Sequence, residues 1–301
     1  FDTLRQLSTN PSDSIFRKQV LNSATDMSKK FNDISNDIQS VRESLNLEIK
    51  SQINQANSYI KQIAELNQNV KNAVEEEQGN LIDQRDLALK KLSEIVGVSF
   101  FYDGQSNLNV MTANGEPLVQ GITPSYLVAD PFLDPFNPVP DFQQDVISPG
   151  NYGVSVKDTD GNLTSLTQYM LNTENSGGKL SGLLKARDNQ LKDYYKQIDQ
   201  LANSIIQNVN TEHRNGTNLA NPSVTAIDFF TPYAVPAIPA TLPWTDFGAA
   251  KQMKVNITDP NQIAASNSVA GVVPDPGNNK NLLKLIDLQE QKGYINTFNN
   301  L

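Results

Sequence analysis

The chain has 301 residues, carries a formal net charge of −9 from 24 basic and 33 acidic residues, and contains no cysteine. This composition excludes disulfides, cysteine-ligated zinc and thiol catalysis, and the absence of a basic patch argues against a nucleic-acid surface. Only 38% of the residues are hydrophobic. No apolar run approaches the roughly 18 residues of a membrane-spanning helix, and the first residues lack a signal-peptide pattern. We expect two or three domains with elongated helices rather than a compact α/β enzyme.

The first long segment has the pattern of a helix that needs a partner. Asn10 predicts the helix cap, Pro11 suits the first helical position, and Asp13 lies near the positive end of the helix dipole. Apolar residues then recur at spacings of three and four, which predicts a coiled-coil-like seam. We expect at least one break in so long a helix, at Asn46 or within residues 75–79. The predicted seam residues are Ile34, Ile38, Val41, Leu45, Ile53, Ala56, Ile60, Ile63, Val70 and Val74.

The end of this helical segment leads directly into predicted β-structure. Gly97 is predicted to end the helix in the left-handed conformation, and residues 98–102 are rich in residues that favour strands. Asp103–Gly104 and Asn114–Gly115 are signals for hairpin turns. We therefore expect a small meander that extends to Gly121.

More β-structure follows the meander. Residues 126–129 and 152–157 predict strands, the second followed by a turn at 158–161 and a short returning strand. The proline-rich stretch 130–140 excludes a central strand or a helix there. Residues 98–171 are therefore predicted to form an inserted small β-domain.

A second helical seam has a more regular spacing than the first. It follows Gly177–Gly178, which predict a flexible joint, and its residues alternate at spacings of four and three. Neither helix can bury its apolar stripe alone, so we expect the two to pack against each other in one bundle. The predicted residues of the second seam are Leu180, Leu184, Arg187, Leu191, Tyr194, Ile198, Leu201 and Ile205, and it is widened by Leu183, Tyr195, Ala202, Ile206 and Val209.

The last part of the chain is irregular. Residues 228–230 and 255–257 predict strand pieces, 232–243 is a proline-spaced loop, 259–265 predicts a short helix, and 281–288 an amphipathic helix.

The predicted fold class is α+β, an elongated helical bundle with an inserted small β-domain. Residues 1–97 and 172–301 would form the bundle core domain, with an irregular or β-hairpin segment at 213–280. Residues 98–171 would form the β-domain.

Candidate chemical residues are few. His213 is the only histidine, and a lone histidine is more often a structural polar residue than a catalytic base. Residues 75–77 are three successive glutamates, which point in different directions on a helix and predict a solvated face. Asp83, Arg85 and Asp86 favour a local ion pair that steadies the helix end.

Three further patterns also lack a chemical signature. Residues 177–179 (Gly-Gly-Lys) do not have the spacing of a phosphate-binding loop, and Tyr194 and Tyr195 favour core filling over base stacking. We therefore predict no catalytic, cofactor-binding or metal-binding residues, no cofactor and no enzymatic activity. The carboxylates that a hydrolase in the β-domain would require show no fixed pairing: Asp130, Asp134, Asp141 and Asp145.

The order of these pieces resembles the hook-associated proteins of the flagellin superfamily. The resemblance is carried by Leu-x-Asp-Gln-Arg-Asp at 81–86, Glu-Ile-Val-Gly-Val at 94–98 and Asn-Gly-x-Pro-Leu-Val at 114–119. The proline-rich stretches 130–140 and 232–243 have no counterpart in the family pattern. Further matching pieces are 10–13 with Arg17, 208–216 followed by 228–230, 263–266, and 281–283.

The resemblance implies a flagellin-like core and a structural subunit that joins hook to filament in a bacterial flagellum. The implied partners are further copies of the chain, the hook protein, the second junction protein and an export chaperone, with no nucleic acid and no membrane. The implied location is the flagellum, outside the cell after type III export. Because Phe1 is not a natural start, we expect a chain trimmed of terminal segments that become helical on assembly.

Other interpretations stay open. Within the same class, the chain could be a flagellin-type filament subunit or the second junction protein. In other classes, the β-domain could bind a host surface or form a carboxylate-based hydrolase.

Overall fold

The computed structural model describes residues 1–131, 152–173, 177–220, 222–233 and 248–290. Its contacts divide the chain into two compact units. The first unit consists of Phe1–Gln39 and Asp193–Leu301, and the second of Ser40–Lys192. Helices and small antiparallel sheets together confirm the predicted α+β class.

Three helices open the chain, and their bounds differ from the prediction. α1 is Asp2–Thr9, α2 is Ser14–Asn72 and α3 is Glu75–Ile95. α2 is capped by Asp13, whose carboxylate accepts the N–H groups of Ile15 and Phe16 at 2.7 and 3.1 Å. The prediction that Asn10 caps this helix is therefore wrong, since residues 10–13 instead separate α1 from α2.

At least one break is predicted in this helical segment, and of its two candidate places Asn46 is wrong, because α2 is continuous through it. The chain does leave the helix at residues 73–74, immediately before the glutamate run of 75–77, which starts α3. Three carboxylates in the first turn of α3 favour a helix start at that point.

A four-stranded antiparallel sheet follows α3 in the second unit. It contains β1 (Val98–Tyr102), β2 (Leu108–Thr112), β3 (Pro117–Gln120) and β4 (Thr123–Pro124), in sequential order. Both predicted hairpins are confirmed by this pairing.

The left-handed helix end predicted at Gly97 is wrong. Val96 is already extended, with φ −134° and ψ 138°, and Gly97 is not among the described residues with positive φ. The helix therefore enters β1 without a left-handed residue.

A second, three-stranded antiparallel sheet has the order β5-β6-β7. β5 is Tyr126–Pro131, β6 is Tyr152–Lys157 and β7 is Leu163–Ser165, as the strand signals predicted. The helices α4 (Thr167–Asn172) and α5 (Gly178–Lys185) follow. Most of the proline-rich stretch 130–140 lies outside the described residues.

One apolar core joins the helices and both sheets of the second unit. The strands therefore pack directly on the helices of this unit, which extends from Ser40 to Lys192. Whether residues 98–171 fold as a separate inserted domain stays a prediction. The shared core includes Ile53, Ile60, Ile63, Leu92, Ile95, Leu108, Val110, Leu118, Leu127, Val156, Leu180 and Leu184.

The first unit is built from helices and irregular segments. Beside α1 and the first part of α2 it contains α6 (Lys192–Arg214), α7 (Ala249–Gln252) and α8 (Lys280–Asp287). The predicted strand pieces reduce to a single bridge between Phe230 and Val255. The short helix predicted from Asp259 is one 3₁₀ turn, capped by that aspartate. The loop 232–243 lies almost entirely outside the described residues.

The first unit has its own apolar core. α2 and α6 both contribute to it, which agrees with the expectation that the two long helical segments share a core. Its members include Leu7, Val20, Leu21, Ala24, Ala202, Ile206, Phe229, Phe230, Met253, Ile263, Leu282 and Leu285.

The second seam is correct in its first half and displaced by one residue in its second. Residues 186–191 form a π-helix between α5 and α6. A π-turn inserts one extra residue into the helical repeat, so the inward face advances by one position. Tyr195 is 5% exposed whereas the predicted Tyr194 is 53% exposed, and Ala202 and Ile206 are buried in place of Leu201 and Ile205.

The first seam is correct only between residues 53 and 70, because Val74 lies between α2 and α3 and is 64% exposed. Ile53, Ala56, Ile60 and Ile63 are buried as predicted. Earlier in α2, Ile34 and Val41 are exposed and Ile38 and Leu45 are half-buried, while the buried positions there are polar. These polar positions are Ser35, Arg42 and Asn46.

The displaced register makes a testable prediction. Ile206→Ala removes a fully buried side chain and should lower the free energy of unfolding by about 2–5 kcal/mol. Ile205→Ala, at the half-buried neighbouring position, should cost clearly less. Urea unfolding of both variants measures the difference. A larger loss for Ile205→Ala would contradict the π-turn register.

Gly178 gives a second prediction, because it is the first residue of α5 and has φ +75°. A Cβ there would collide with the carbonyl of Ile95. Gly178→Ala should therefore destabilise by more than the roughly 1–2 kcal/mol of a left-handed residue.

The matched control is Gly182→Ala in the same helix, where a Cβ meets no atom within 4 Å. It should be neutral or slightly stabilising, because alanine is the better helix former. Thermal unfolding of the two variants separates these outcomes, and equal melting temperatures would argue against the close approach.

Candidate functional site

His213 lies in the last turn of α6 and is fully buried. Its Nδ1 is 2.7 Å from the carbonyl of Ile227, and its Nε2 is 3.0 Å from the backbone N–H of Ala264. The second contact requires Nε2 to accept, so Nδ1 carries the proton and donates to Ile227. Burial lowers the pKa of the imidazole. The histidine thus joins two irregular segments to α6, and neither ring nitrogen is available to act as a base.

Arg85 is not part of the local ion pair that the sequence suggested. It is buried, and its Nη1 donates to Asn67 Oδ1 at 3.0 Å and to the carbonyl of Ser106 at 3.1 Å. Its guanidinium carbon lies 5.4 Å from the ring centroid of Tyr102. The sequence signal that identifies this role is position, because Arg85 lies on the same face of α3 as Ala88 and the buried residues that follow.

Asn67 connects α2 to the first sheet and is also buried. Its Nδ2 donates to the carbonyls of Leu108 and Gly121 at 2.9 and 2.6 Å. Its Oδ1 accepts from Leu108 N and from Arg85 Nη1, both at 3.0 Å. All the hydrogen-bonding capacity of this amide is therefore used within the fold.

Two other helical asparagines bind extended backbone in the same way. Asn57 pairs with the N–H and C=O of Leu127, both at 2.8 Å. Asn210 pairs with the N–H and C=O of Phe230, at 2.8 and 2.9 Å. Each amide replaces the hydrogen bonds that a neighbouring strand would supply.

Arg17 holds the 3₁₀ segment of the first unit. Its Nε donates to the carbonyl of Pro11 at 2.6 Å, and its Nη1 donates to those of Pro260 and Ile263, each at 3.0 Å. Burial lowers the pKa of Arg17 to about 10, while Asp259 opposes the shift. The guanidinium stays charged at neutral pH and serves as a donor to the backbone.

Arg187 and Asp188 form a buried pair in the π-helix. Arg187 Nη2 lies 2.7 Å from Asp188 Oδ2, and its Nη1 donates to Asn46 Oδ1 and to the carbonyl of Tyr152. Arg187, the polar residue of the predicted second seam, thus has a structural role.

The remaining candidates are surface features. Glu75, Glu76 and Glu77 are exposed, and Lys179 forms an ion pair with Glu48 at 2.6 Å instead of facing a phosphate loop.

The described residues contain no cluster of three or more histidines or carboxylates suited to a metal ion. None of the described helices combines the length and hydropathy needed to cross a bilayer. The carboxylates that would serve a hydrolase lie outside the described side chains, at positions 130, 134, 141 and 145.

An apolar cavity of about 920 Å³ opens in the first unit. Arg5 and Glu290 are the only charged residues among the described residues that line it, so its wall is suited to packing rather than to acid–base chemistry. Other lining residues are Leu4, Val20, Met27, Leu201, Ile205 and Val209.

The second unit exposes aromatic residues on β1. Phe100, Phe101 and Tyr102 are each 50–53% exposed. The rings of Phe100 and Tyr102 meet edge to face, with centroids 6.3 Å apart. Together with the cavity, this strand is the apolar surface that stands out in the described part of the chain.

Comparison with known proteins identifies related sequences. Residues 1–230 match the family described as "Flagellar hook-associated protein FlgK helical domain". Flagellar hook-associated protein 1 of Escherichia coli (strain K12) is 29% identical over 221 residues, which cover 72% of this chain and 37% of that protein. The protein of the same name from Bacillus subtilis (strain 168) is 25% identical over 315 residues, covering 98% of this chain and 58% of the relative.

A solved structure shares the fold. The structure of the flagellar hook junction protein FlgK from Burkholderia pseudomallei superposes with a TM-score of 0.70 at 20% sequence identity. The match covers 88% of this chain and 58% of that one. The chain thus spans between 37% and 58% of the length of these three relatives.

His213 makes a pH prediction. The unfolded state binds a proton near pH 6.5, whereas the folded state resists it because the pKa of the buried imidazole is lowered. The free energy of unfolding should therefore fall as pH decreases below about 6.5, with a slope of at most about 1.4 kcal/mol per pH unit. Above that pH, His213 should contribute no pH dependence to the free energy of unfolding.

The control is His213→Gln, which removes the only histidine of the chain. Urea unfolding between pH 7.5 and 5.5 should show the slope in the parent and a reduced slope in the variant. Equal slopes would show that the histidine is not held neutral.

Proposed function

Because the chain belongs to the family of the flagellar hook-associated protein FlgK helical domain, we propose that it is part of a structural subunit that joins hook to filament in a bacterial flagellum. The observation that carries the proposal is the match of residues 1–230 to that family. The resemblance read from residues 81–86, 94–98 and 114–119 is thereby confirmed. Since the chain covers only part of its relatives, the role of the whole protein is inferred from them.

The side-chain chemistry of the described residues supports a structural role. The buried polar groups that a catalytic site would recruit are engaged by backbone: His213 by two irregular segments, Arg17 by the 3₁₀ segment, and Asn67 by the first sheet. Function then depends on exposed surfaces that meet other subunits. We propose accordingly that the protein has no enzymatic activity.

We further propose the partners that such a location requires. These are other copies of the chain and the neighbouring axial proteins, namely the hook protein and the second junction protein. An export chaperone and passage through the flagellar type III apparatus would place the protein outside the cell. The family match favours this role over a filament-type flagellin or the second junction protein.

Electron microscopy of flagella from a strain that lacks the protein tests the proposal. The expected result is hooks without filaments, because filament subunits would have no junction on which to assemble. Supplying the full-length protein from a plasmid should restore filaments. Normal filaments in the deletion strain would overturn the proposed role.

A further inference from the structure

The two sheets of the second unit end in four edge strands, and two of these edges are protected. β4 is only two residues long and contains Pro124, which cannot donate to a further strand. In β5, the N–H and C=O of Leu127 are both bound by the Asn57 side chain. A neighbouring strand therefore cannot extend either sheet on these sides.

The edge formed by β1 lacks these protections. It pairs with β2 in unbroken register over all five residues, from Val98 opposite Thr112 to Tyr102 opposite Leu108. Edge strands are usually blunted by lysine, proline or a bulge, and β1 contains none of them. Instead its three aromatic side chains are half exposed, with Phe101 on one face and Phe100 and Tyr102 on the other.

The remaining edge is β7. All three of its residues are exposed, and Leu163 is 58% exposed. β7 pairs with β6 through Ser155, Val156 and Lys157, which leaves its other side without a paired strand among the described residues. It too contains neither lysine nor proline.

We propose that β1 of one copy of the chain pairs with β7 of a neighbouring copy in the assembled flagellar junction, which extends both sheets across the subunit boundary. This inference rests on the proposed function and names the surfaces through which copies would meet. A contact between two different surfaces repeats from copy to copy, whereas pairing of β1 with another β1 would close at two copies. A ring or tube requires the first kind of contact.

The area that the β1–β7 contact would bury is too small to hold two isolated copies together but suits neighbours already held in an assembly. Aromatic side chains bury roughly 150–250 Å² each when covered, so three half-exposed rings contribute on the order of 300 Å². Counting both partners gives roughly 600 Å², below the ~1,200 Å² of a stable interface. The isolated chain should therefore stay monomeric in dilute solution, and the contact should form where other contacts already hold neighbours close.

Cross-linking in purified flagella tests the proposal, and the absence of native cysteine makes it specific. The full-length protein would carry Ser99→Cys and Thr164→Cys together, at exposed positions of β1 and β7 that keep all three aromatic side chains. A short bis-maleimide added to flagella from motile cells should convert it into a ladder of dimers, trimers and larger species. Motility before cross-linking verifies that the variant folds and assembles.

Three controls decide the result. Each single variant should stay monomeric, and so should Ser99→Cys combined with Val273→Cys, since Val273 is 77% exposed in the first unit. Dimers from Ser99→Cys alone would show pairing of β1 with β1 and overturn the proposal. An equal ladder from the Val273→Cys combination, or no ladder from the double variant, would overturn it as well.

The experiment also separates this inference from the proposed function. Immunoblotting of the purified flagella shows whether the protein is present. Its absence would contradict the role at the junction, and with it the contact. Its presence without a ladder would contradict only the β1–β7 pairing.

Discussion

The structure depends on one constraint: extended and irregular backbone that packs on a helix must find hydrogen-bond partners that the helix backbone cannot supply. The N–H and C=O groups of a helix interior bond to each other, so a neighbouring segment without a sheet partner would bury its own polar groups at a cost of about 1–3 kcal/mol each. Polar side chains on the helices meet this need. Asn57, Asn67 and Asn210 present amides to backbone, and Arg17 presents a guanidinium.

This constraint explains why both cores contain so many polar residues. In each unit, sheets or irregular segments pack on the helices. Each of these segments needs a hydrogen-bond donor or acceptor at a particular position along the helix. His213 performs the task with both ring nitrogens, and Arg187 with Asn46 and Tyr152. Such contacts add less apolar burial than leucine would, but they fix the position of the supported segment because hydrogen bonds are directional.

Local signals in the sequence predicted the local structure. The hairpins at residues 103–104 and 114–115 follow from short-range turn geometry, and those residues also carried the family resemblance. The seams were predicted less well. Adjacent apolar pairs at 194–195 and 205–206 allow either of two registers, and nothing in the local sequence marks the π-turn that precedes them. For Arg85, sequence spacing favours an ion pair with neighbouring carboxylates. Its hydrogen-bond partners come instead from α2 and the hairpin, which sequence spacing does not reveal.

The π-turn at residues 186–191 also constrains how this region can change in evolution. The turn accommodates one extra residue, so the loss of a single residue there would restore a regular α-helix and keep Tyr195, Ala202 and Ile206 on the inward face. The loss of a residue within α6 itself would have no such compensation, because each residue of an α-helix turns by about 100° and every later side chain would rotate by that angle. Two related sequences can therefore differ in length by one residue at 186–191 and still place equivalent side chains on the same core.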